Sequence, residues 1–411
     1  MKPEVDQAMK PGWKVWRFDE MATNVNVRID NPSESGMEHY VGLEHLDADS
    51  LKIRRWGTPD DVEATKLMFK KGDIIFGRRR AYQRKLGVAE FDGICSAHAM
   101  VLRAKPDVVL PEFLPFFMQS DLFMNRAVEI SVGSLSPTIN WKTMAVQDFA
   151  LPPINQQSRL LDLLACAEES LDSYASALNA AKLMLRAGLV SIFAREGFSP
   201  DKMEMSPAAV RPGWQLEPAK DICVAPITKG ATPTSATGSL DTGVPFLKVY
   251  NLTFDGSLDF SVDSTFVSRD AHAKELARSH VRGADVLMNI VGPPLGKVSI
   301  VPSDFPSSNI NQAIARFRIR AELPPRYFAA YLLSEWAQRW LQARSKKTSG
   351  QQNLTLELCQ TLPVPLPPDH LLEGVAAAIE ALFDSVRLVE ERKSATARIY
   401  KTVLTEVLGD V

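Results

Sequence analysis

Apolar and small residues recur along residues 160–192 at alternating steps of four and three positions. The stripe consists of Leu160, Leu164, Ala167, Leu171, Tyr174, Leu178, Ala181, Leu185, Gly188 and Ile192. This heptad spacing places the stripe on one face of an α-helix and is typical of a coiled coil. It predicts one long helix of roughly 35–40 residues, or about 55–60 Å at the helical rise per residue.

The same stripe returns 215 residues later without a change of phase, at Val375, Ile379, Leu382, Val386, Val389, Lys393, Thr396, Tyr400, Val403 and Val407. Each helix needs a partner for its apolar face, and the other helix is the obvious one. The residues predicted at the helix–helix interface are Leu164, Leu171, Leu178 and Leu185 with Ile379, Leu382, Val386 and Val389. Lys393 and Thr396 weaken the second stripe midway. The alternative is two core helices of one bundle.

Short sequences also recur, in the same order, ahead of the two stripes. PGWKV at Pro11–Val15 returns as PGWQL at Pro212–Leu216, and KGDIIF at Lys71–Phe76 returns as GADVLM at Gly283–Met288. LPP precedes both stripes, and its prolines stop the chain from continuing as helix out of the preceding segment. The chain is therefore predicted to be a tandem repeat.

Between these markers the pattern changes from heptads to short runs typical of strands: DIIFG, AMVLRA, DVLMNIV, KVSIV and IARFRIR. Each half also has a shorter helical stretch, PEFLPFFMQSDLFMNRAV in the first and PPRYFAAYLLSEWAQRWLQA in the second. Two mixed α/β modules thus alternate with two long helices. The predicted bounds are 1–153 for module 1, 154–198 for the first long helix, 199–368 for module 2 and 369–411 for the second.

Composition places the chain among ordinary soluble globular proteins, with 411 residues, 45% of them hydrophobic and 23% charged. The sequence has no run of about 18 apolar residues, so no membrane span is predicted. The start MKPEVDQAMKPGW lacks the apolar region of a signal peptide, so none is predicted there. The cysteines are far apart and form no metal motif, so free thiols and a cytoplasmic location are predicted for Cys95, Cys166, Cys223 and Cys359.

The stretch NIVGPPLGKVS at Asn289–Ser299 has glycines, prolines and a lysine, as a phosphate-binding loop does. Such a loop needs G-x-x-x-x-G-K-[ST]. Only three residues separate Gly292 from Gly296, and Val298 stands where the magnesium-binding hydroxyl belongs. Two prolines also remove amide donors. We therefore do not predict nucleotide binding, and GPPL also lacks the flanking Asn or Asp and the aromatic residue of a methyltransferase motif.

The residues also form no convincing catalytic constellation. The six histidines are scattered, and His98, within the apolar run CSAHAM, is predicted to be a hydrogen-bonded core or interface residue. We predict no catalytic residue, no bound cofactor and no metal ion in this chain.

The net charge of −2 gives no global sign of nucleic-acid binding, so such a role must come from local patches. One patch is FGRRRAYQRKLG, which contains Arg78, Arg79, Arg80, Arg84 and Lys85. Arginine can read guanine, glutamine can read adenine, and lysine neutralises phosphate. Basic residues crowded without an acid repel one another unless they meet an anion, so the patch predicts nucleic-acid contact. A solvated basic turn is the alternative.

A second patch, SKKTSGQQNLT at Ser345–Thr355, has two lysines followed by hydroxyl and amide side chains. Its counterpart in module 1 is SVGSLSPTINW at Ser131–Trp141. Both are predicted to be polar loops between a short helix and the strand that leads to LPP. Amide side chains beside a flexible glycine suit contacts to base edges, with a plain surface loop as the alternative.

Together these features resemble the specificity subunit of type I restriction–modification enzymes. The resemblance rests on GDIIFG with GICSAHAMVLR, on ADVLMNIVGPPLGKVSIVP with NINQAIARFRI, on SGQQNL, and on LPP before a heptad helix, and it covers Pro11 to the C-terminus. It implies an α+β fold in which two mixed α/β target recognition domains are separated by two long antiparallel coiled-coil helices, with pseudo-twofold symmetry. It also implies a non-catalytic subunit that reads double-stranded DNA, one half of a split target per domain. Half-sites about one helical turn, ~34–36 Å, apart suit such a ruler.

The resemblance implies that partners supply the chemistry. They are two methyltransferase subunits, which bind S-adenosylmethionine, and ATP-dependent restriction–translocation subunits can join them. Because the loops of the modules differ, the target is predicted to be asymmetric. The implied DNA contacts of module 1 are Arg78, Arg79, Arg80, Tyr82, Gln83, Arg84, Lys85, Ser134, Ser136 and Asn140. Those of module 2 are Asn289, Lys297, Lys346, Lys347, Thr348, Ser349, Gln351, Gln352 and Asn353.

Two points stay open at this level. Module 1 lacks the Gly-Lys pair that ends the loop of module 2, so a shared contact scheme is in doubt. Other functions also remain possible: a specificity subunit of a related, non-type I restriction or modification system, or a coiled-coil adaptor that does not bind DNA. Sequence-dependent DNA binding would exclude the adaptor.

Overall fold

A computed structural model of the chain describes residues 10–193, 210–233, 243–348 and 350–408. The chain folds into two compact units. Unit 1 comprises Met1–Ala175 with Arg392–Val411, and unit 2 comprises Ser176–Glu391. The boundary between the units therefore falls within both long helices.

Unit 1 contains two four-stranded sheets and one two-stranded sheet. The strand orders are β2-β9-β6-β7, β3-β5-β8-β4 and β1-β10. The strands are β1 Lys14–Arg17, β2 Ala22–Val25, β3 Arg28–Ile29, β4 Tyr40–Val41, β5 Lys66–Phe69, β6 Ile74–Gly77, β7 Leu86–Val88, β8 Gly93–Ser96, β9 Ala99–Ala104 and β10 Asp148–Leu151. The helices are α1 Phe18–Met21, α2 Phe113–Gln119, α3 Asp121–Glu129, α4 Trp141–Ala145 and the long α5 Ile154–Phe193, which continues into unit 2.

Unit 2 has sheets in the orders β12-β20-β16-β18, β14-β13-β19-β15, β17-β22-β21 and β11-β23. The strands are β11 Gln215–Pro218, β12 Thr228–Lys229, β13 Val244–Leu247, β14 Phe266–Val267, β15 His280–Val281, β16 Val286–Asn289, β17 Val291–Gly292, β18 Val298–Ile300, β19 Ser308–Ile310, β20 Ile314–Phe317, β21 Lys346–Thr348, β22 Gln351–Asn353 and β23 Pro363–Leu366. The helices are α6 Arg269–Ala273, α7 Pro325–Leu333, α8 Glu335–Arg344, α9 Leu356–Thr361 and the long α10 Asp369–Thr402, which continues into unit 1.

The two units repeat one topology. The sheet β2-β9-β6-β7 matches β12-β20-β16-β18 strand for strand, and β1-β10 matches β11-β23. The parallel pair β4-β8 likewise matches the parallel pair β13-β19, and β5 and β15 each add an antiparallel strand on the same side. The predicted tandem repeat and the α+β fold class are confirmed.

Each unit has its core where the first of these sheets meets the short helices. In unit 1 the ring of Phe76 on β6 lies 5.7 Å from that of Phe123 on α3, edge to face. In unit 2 the ring of Phe317 on β20 lies 5.2 Å from that of Phe328 on α7. Close packing of such large rings accounts for the near-continuous apolar character of these strands.

Each shorter helical stretch of the sequence forms two helices instead of one. The break comes at Ser120 between α2 and α3 and at Ser334 between α7 and α8, both in extended backbone conformation. In each case the serine Oγ donates to the carbonyl three residues earlier and accepts from the amide three residues later. The hydroxyl therefore ends one helix and caps the next, which apolar periodicity alone does not reveal.

A buried carboxylate that pairs with an arginine explains why the aspartate recurs in KGDIIF and GADVLM. Asp73 and Asp285 are each about 1% exposed and accept two hydrogen bonds, at 2.7 and 2.8 Å, from Arg103 and Arg318 respectively. Each carboxylate also accepts the main-chain N–H three residues earlier. The aspartate therefore closes the turn before β6 or β16 and ties it to the neighbouring strand β9 or, just beyond its end, β20.

The long helices pair antiparallel within each unit. In unit 2, Gly188 of α5 lies against Leu382 of α10, and Lys182 Nζ lies 3.5 Å from Glu390 Oε1. Residue numbers therefore rise along α5 in the direction in which they fall along α10, so the two helices are antiparallel. In unit 1, Leu164 of α5 packs in one cluster with Leu404 and Leu408, beyond the end of α10. Of the predicted interface residues, Leu164, Leu178, Leu185, Ile379 and Val386 are buried, and Leu171, Leu382 and Val389 are half-buried.

By length and composition alone, α5 is also apolar enough to cross a membrane. One such helix is weak support for a membrane span, because core helices of soluble proteins pass the same criteria. Only 28% of its most apolar stretch is buried, and Leu183 and Met184 are more than 60% exposed. The helix thus has an apolar face beyond the one that packs against α10.

We expect Asp285→Ala to lower the free energy of unfolding by about 3–5 kcal/mol, because it leaves the half-buried Arg318 guanidinium without its partner. Urea unfolding followed by circular dichroism measures the loss. The control is Asp270→Ala, which removes an exposed pair with Lys274 and should cost less than about 1 kcal/mol. Equal losses in the two variants would contradict a structural role for the buried pair.

Candidate nucleic-acid interface

In module 1 the basic patch forms the loop between β6 and β7, residues 78–85. A main-chain bond from Gly77 N–H to Lys85 O, 2.9 Å, closes the loop, and residues 81–83 form a single 3₁₀ turn. Arg80 and Arg84, which flank this turn, both have positive φ. The loop is therefore a compact, defined structure and not an extended basic arm.

This loop is joined by main-chain bonds to the segment around SLSPTI, more than 50 residues away. Arg80 N–H donates to Pro137 O at 2.7 Å, and Ile139 N–H donates to Arg78 O at 3.0 Å. Arg79 and Val132 both form bridges to Thr138. The two predicted contact loops of module 1 thus form one surface.

Module 2 builds the same surface more regularly. SKKTSGQQNLT forms the hairpin β21-β22 instead of the predicted polar loop, and β22 pairs with β17 in the loop after β16. Val291 lies opposite Asn353, and Gly292 lies opposite Gln352. Leu354 N–H donates to Ile290 O at 2.9 Å, as Ile139 N–H does to Arg78 O in module 1.

We call this arrangement the paired-loop patch. In module 1 it comprises residues 78–80, 132 and 136–139, and in module 2 residues 290–292, 346–348 and 351–354. The matching main-chain bonds align Arg79 with Val291, Thr138 with Asn353, and Val132 with Lys346. One backbone frame therefore carries different side chains in the two modules.

In module 1 the arginines differ in what they contact. Arg79 is half-buried; its Nη2 donates to Ser136 Oγ at 3.2 Å and its Nη1 lies 3.4 Å from His98 Nε2. Arg80 is exposed and has no side-chain partner among the described residues. Around them Tyr82 is 54% exposed, Ser134 and Asn140 are exposed, and Gln83 is half-buried.

Arg78 faces a separate polar cleft of about 290 Å³. Its Nη2 donates to Ala97 O at 3.0 Å, while its buried Nε finds no partner among the described residues. Asn24, Asn26 and Arg28 line the same cleft. Arg78 therefore belongs to the frame of the patch and to the wall of this cleft.

Two basic residues predicted to contact DNA instead hold the loop in place. Arg84 Nε lies 2.5 Å from Asp49 Oδ1, its Nη1 lies 3.0 Å from Asp121, and its Nη2 donates to Gln119 O. Lys85 Nζ donates to Leu43 O at 2.6 Å. Their side chains bond within the module and hold the loop, and the assignment of these two residues as DNA contacts stays a prediction.

The burial of Asn289 contradicts the prediction that the loop of module 2 presents this side chain to a duplex. Asn289 is 0% exposed, and its Nδ2 donates to Val291 O and Pro294 O while its Oδ1 accepts from Lys297 N–H at 2.7 Å. Lys297 is half-buried, with Nζ 3.3 Å from Val249 O. Asn289 is an internal brace because burial of an amide is tolerated only with its hydrogen bonds made.

The loop of module 1 has a structural counterpart of Lys297, although it lacks the Gly-Lys pair. The main-chain bond from Asn289 N–H to Lys297 O matches that from Gly77 N–H to Lys85 O. Lys85 is therefore the counterpart of Lys297, and each donates to a carbonyl at the start of a 3₁₀ turn, Leu43 or Val249. The two loops share a scheme, but it is a structural one.

The exposed polar residues of module 2 lie on the hairpin. Lys346 and Gln351 are exposed, and Gln352 and Asn353 are half-buried. Lys347 and Thr348 lie on β21, opposite Gln352 and Gln351 of β22, while Ser349 lies outside the described residues. A two-stranded ribbon of this kind fits the major groove of B-DNA, where amide side chains can read adenine.

Sequence reasoning missed His98 and Thr138. His98, predicted to be a hydrogen-bonded core or interface residue, is exposed in the turn between β8 and β9 and does not lie in the core. Partial burial, with the Arg79 and Arg78 guanidinium groups nearby, lowers the pKa of His98, so the neutral ring can accept a hydrogen bond from Arg79. No local pattern links His98 or Thr138 to Arg79, because tertiary pairing alone brings them together.

The described residues offer no cluster of three or more His, Cys, Asp or Glu side chains that could hold a metal ion. All four cysteines are free thiols. Guanidinium and hydroxyl groups dominate the patch of module 1, and amide and ammonium groups dominate that of module 2. All of these groups can form hydrogen bonds to bases or phosphates.

No family model matches the chain. Two curated proteins of Escherichia coli are similar to it. The specificity subunit of the type I restriction enzyme EcoDI is 26% identical over 151 residues, which is 36% of this chain and 33% of that protein. That of EcoBI is 29% identical over 161 residues, 38% of this chain and 32% of that protein. The matched segments thus span about a third of the length of these relatives.

Solved structures match over nearly the whole chain. A chain from a study of complex assembly and conformational transition in the type I R-M system has a TM-score of 0.60 and 21% identity, covering 98% of this chain and 100% of that one. The type I restriction-modification S subunit from M. genitalium has a TM-score of 0.59 and 16% identity, with 100% of both chains covered. These matches confirm the fold, and all four matches confirm the resemblance predicted from the sequence.

We expect Asn289→Ala to destabilise the protein by about 2–4 kcal/mol, because it leaves the buried partners of this side chain without hydrogen bonds. Urea unfolding followed by circular dichroism measures the effect. Gln351→Ala is the matched control: it removes an exposed amide of the same patch and should change stability by less than about 0.5 kcal/mol. If Asn289→Ala were as stable as the control, the side chain would not be a brace.

Proposed function

We propose that this chain is the sequence-specific DNA-recognition subunit of a type I restriction–modification complex. Each module reads one half of a split target in double-stranded DNA. The observation that carries the proposal is the paired-loop patch, built twice on one main-chain frame with unlike side chains. The curated relatives, named as type I specificity subunits, support the same function.

Local charge supports DNA as the ligand even though the net charge is −2. Arg80 and Lys346 are exposed cations at the edges of the two patches, where they can neutralise phosphates. Arg79 in module 1 and Gln351 in module 2 are suited to base edges. The near-neutral chain leaves further phosphate contacts to partner subunits.

Different side chains on equal frames support an asymmetric target. Val291 in module 2 replaces Arg79, and Asn353 replaces Thr138. A symmetric, palindromic target would require the same groups at matched positions in both modules. The two half-targets therefore differ in sequence.

The chain itself is proposed to be non-catalytic and to hold no cofactor. Two methyltransferase subunits with S-adenosylmethionine modify the DNA, and restriction–translocation subunits with ATP can join the complex. The exposed apolar face of α5, which includes Leu183, Met184 and Val190, supports docking of a partner helix on the long helices. Burial of such a face is a common source of subunit affinity.

Methylome sequencing of cells that carry this chain with its modification subunits tests the proposal. We expect one motif of two unlike, specific half-sites separated by a fixed number of unspecified base pairs. A continuous motif, a palindrome, or no dependence of methylation on this chain would contradict the proposed function. The last of these outcomes is what a DNA-independent adaptor predicts.

We also propose that α5 and α10 set the spacer between the half-sites. Deleting one heptad from each helix, Ser173–Asn179 and Arg392–Arg398, shortens both by about 10 Å, or roughly three base pairs at ~3.4 Å each. The two deleted segments contain one buried residue, Leu178, so the deletion leaves the cores of the modules largely intact. We expect the methylome motif to keep both half-sites with a spacer shorter by about three base pairs. An active variant with the original spacer would contradict the ruler.

A further inference from the structure

The alternation of side chains divides the paired-loop patch into two faces. Successive residues of an extended strand point to opposite sides, and residues directly opposite on paired strands share a side. Leu354 and Ile290 are buried, so they mark the inner face of the patch in module 2. Asn353 and Gln351 therefore belong to the outer face, and so does Lys346, which lies opposite Asn353. Val291 is on the same side by register, opposite Asn353, but is half-buried and packs against the core of unit 2.

The outer face of module 1 follows from the same register. Ile139, the counterpart of Leu354, is 0% exposed, which places Thr138 and Ser136 on the outer side. Arg79 shares that side, because its Nη2 donates to Ser136 Oγ at 3.2 Å. Val132, opposite Thr138, is 74% exposed. Each module thus has one outer set of four matched positions.

The chemistry of the matched sets differs in kind. Module 1 has Arg79, Ser136, Thr138 and Val132 where module 2 has, in the same order, Val291, Gln351, Asn353 and Lys346. The first set has one guanidinium, and the second has two carboxamides and an ammonium group. In the major groove, guanine presents two acceptors that fit a guanidinium, whereas adenine presents a donor and an acceptor that fit an amide.

The contacts of Arg79 favour base reading over phosphate contact. Arg79 Nη2 donates to Ser136 Oγ at 3.2 Å and its Nη1 lies 3.4 Å from His98 Nε2, and these contacts orient the plane of the guanidinium while leaving other N–H groups available for a base. A fixed planar fork is what a bidentate contact to guanine requires. Arg80, exposed and without a side-chain partner among the described residues, is better suited to the sequence-independent phosphate.

From these observations we infer that base identity is set at the matched outer positions: Arg79 selects a guanine in the half-target of module 1, and Gln351 and Asn353 select an adenine in that of module 2. Ser136 and His98 are positioning residues for Arg79. The inference rests on the proposed function and adds to it which bases the two half-targets contain and which side chains select them.

The test for module 1 uses the assembled methyltransferase complex and duplexes that carry its methylome motif, with every base pair of the half-sites varied in turn. Arg79→Ala should reduce the preference for guanine at one position of one half-site by about tenfold to a hundredfold. Arg79→Lys keeps the charge but loses the fork, so it should lose the same preference while binding more tightly than Arg79→Ala. Arg126→Ala, which removes an exposed cation paired with Glu129 on α3, is the control and should leave the preference unchanged.

For module 2, Asn353→Ala and Gln351→Ala should each relax the preference for adenine, in the other half-site only. Arg269→Ala, which removes an exposed cation of α6, is the control. Thermal melting of each variant shows that it is folded. If the variant complex still methylates the duplexes and keeps its base preference in the other half-site, the variant has assembled with its partners.

The outcomes separate this inference from the proposed function. If the motif is bipartite but Arg79→Ala weakens all duplexes equally and Arg79→Lys restores them, Arg79 contacts phosphate and the inference is wrong. The inference also fails if substitution of Asn353 and Gln351 leaves the adenine preference intact, or if either half-site lacks the expected base. A motif that is not bipartite would instead overturn the proposed function itself.

Discussion

The surface of each module depends on main-chain hydrogen bonds between two segments that are distant in sequence. In module 1, the bond from Ile139 N–H to Arg78 O joins the loop after β6 to a second loop. In module 2, the bond from Leu354 N–H to Ile290 O joins the loop after β16 to the hairpin β21-β22. Backbone bonds do not involve the side chains they position. The outer side chains can therefore differ completely between modules while their positions stay the same, which is what a protein needs to read two different sequences with one fold.

Polar side chains maintain this frame, and they do so differently in the two modules. Arg84 ties the loop of module 1 to Asp49 and Asp121, whereas Asn289 braces the loop of module 2 from within. Lys85 and Lys297 are common to both and donate to equivalent carbonyls. Much of the positive charge that first suggests DNA contact is thus used to fix the loops. In the proposed function, the charge available for DNA lies on fewer residues, chiefly Arg79, Arg80 and Lys346.

The fold could be predicted further from the sequence than the site could. Heptad phase and the recurring KGDIIF and GADVLM runs identify the repeat, because helix periodicity and a buried strand leave a local pattern. The helix breaks at Ser120 and Ser334 could not be predicted, because a single serine hydroxyl ends one helix and caps the next while the apolar periodicity continues through the break. Asn289 was misassigned because residue type does not reveal burial, and the link between Arg79, Ser136 and His98 exists only through tertiary pairing.

Site-specific photocrosslinking in the assembled complex can show directly whether the paired-loop patch of each module contacts its own half-site. A photoreactive residue is placed at Val132 or at Lys346, which occupy matched outer positions of the two patches and whose side chains are exposed and form no hydrogen bond or ion pair with the other described residues. We expect each variant to crosslink to its own half-site of a target duplex, with the two crosslinks on opposite sides of the spacer. Crosslinks of both variants to the same half-site, or none in a complex that still methylates its target, would contradict it.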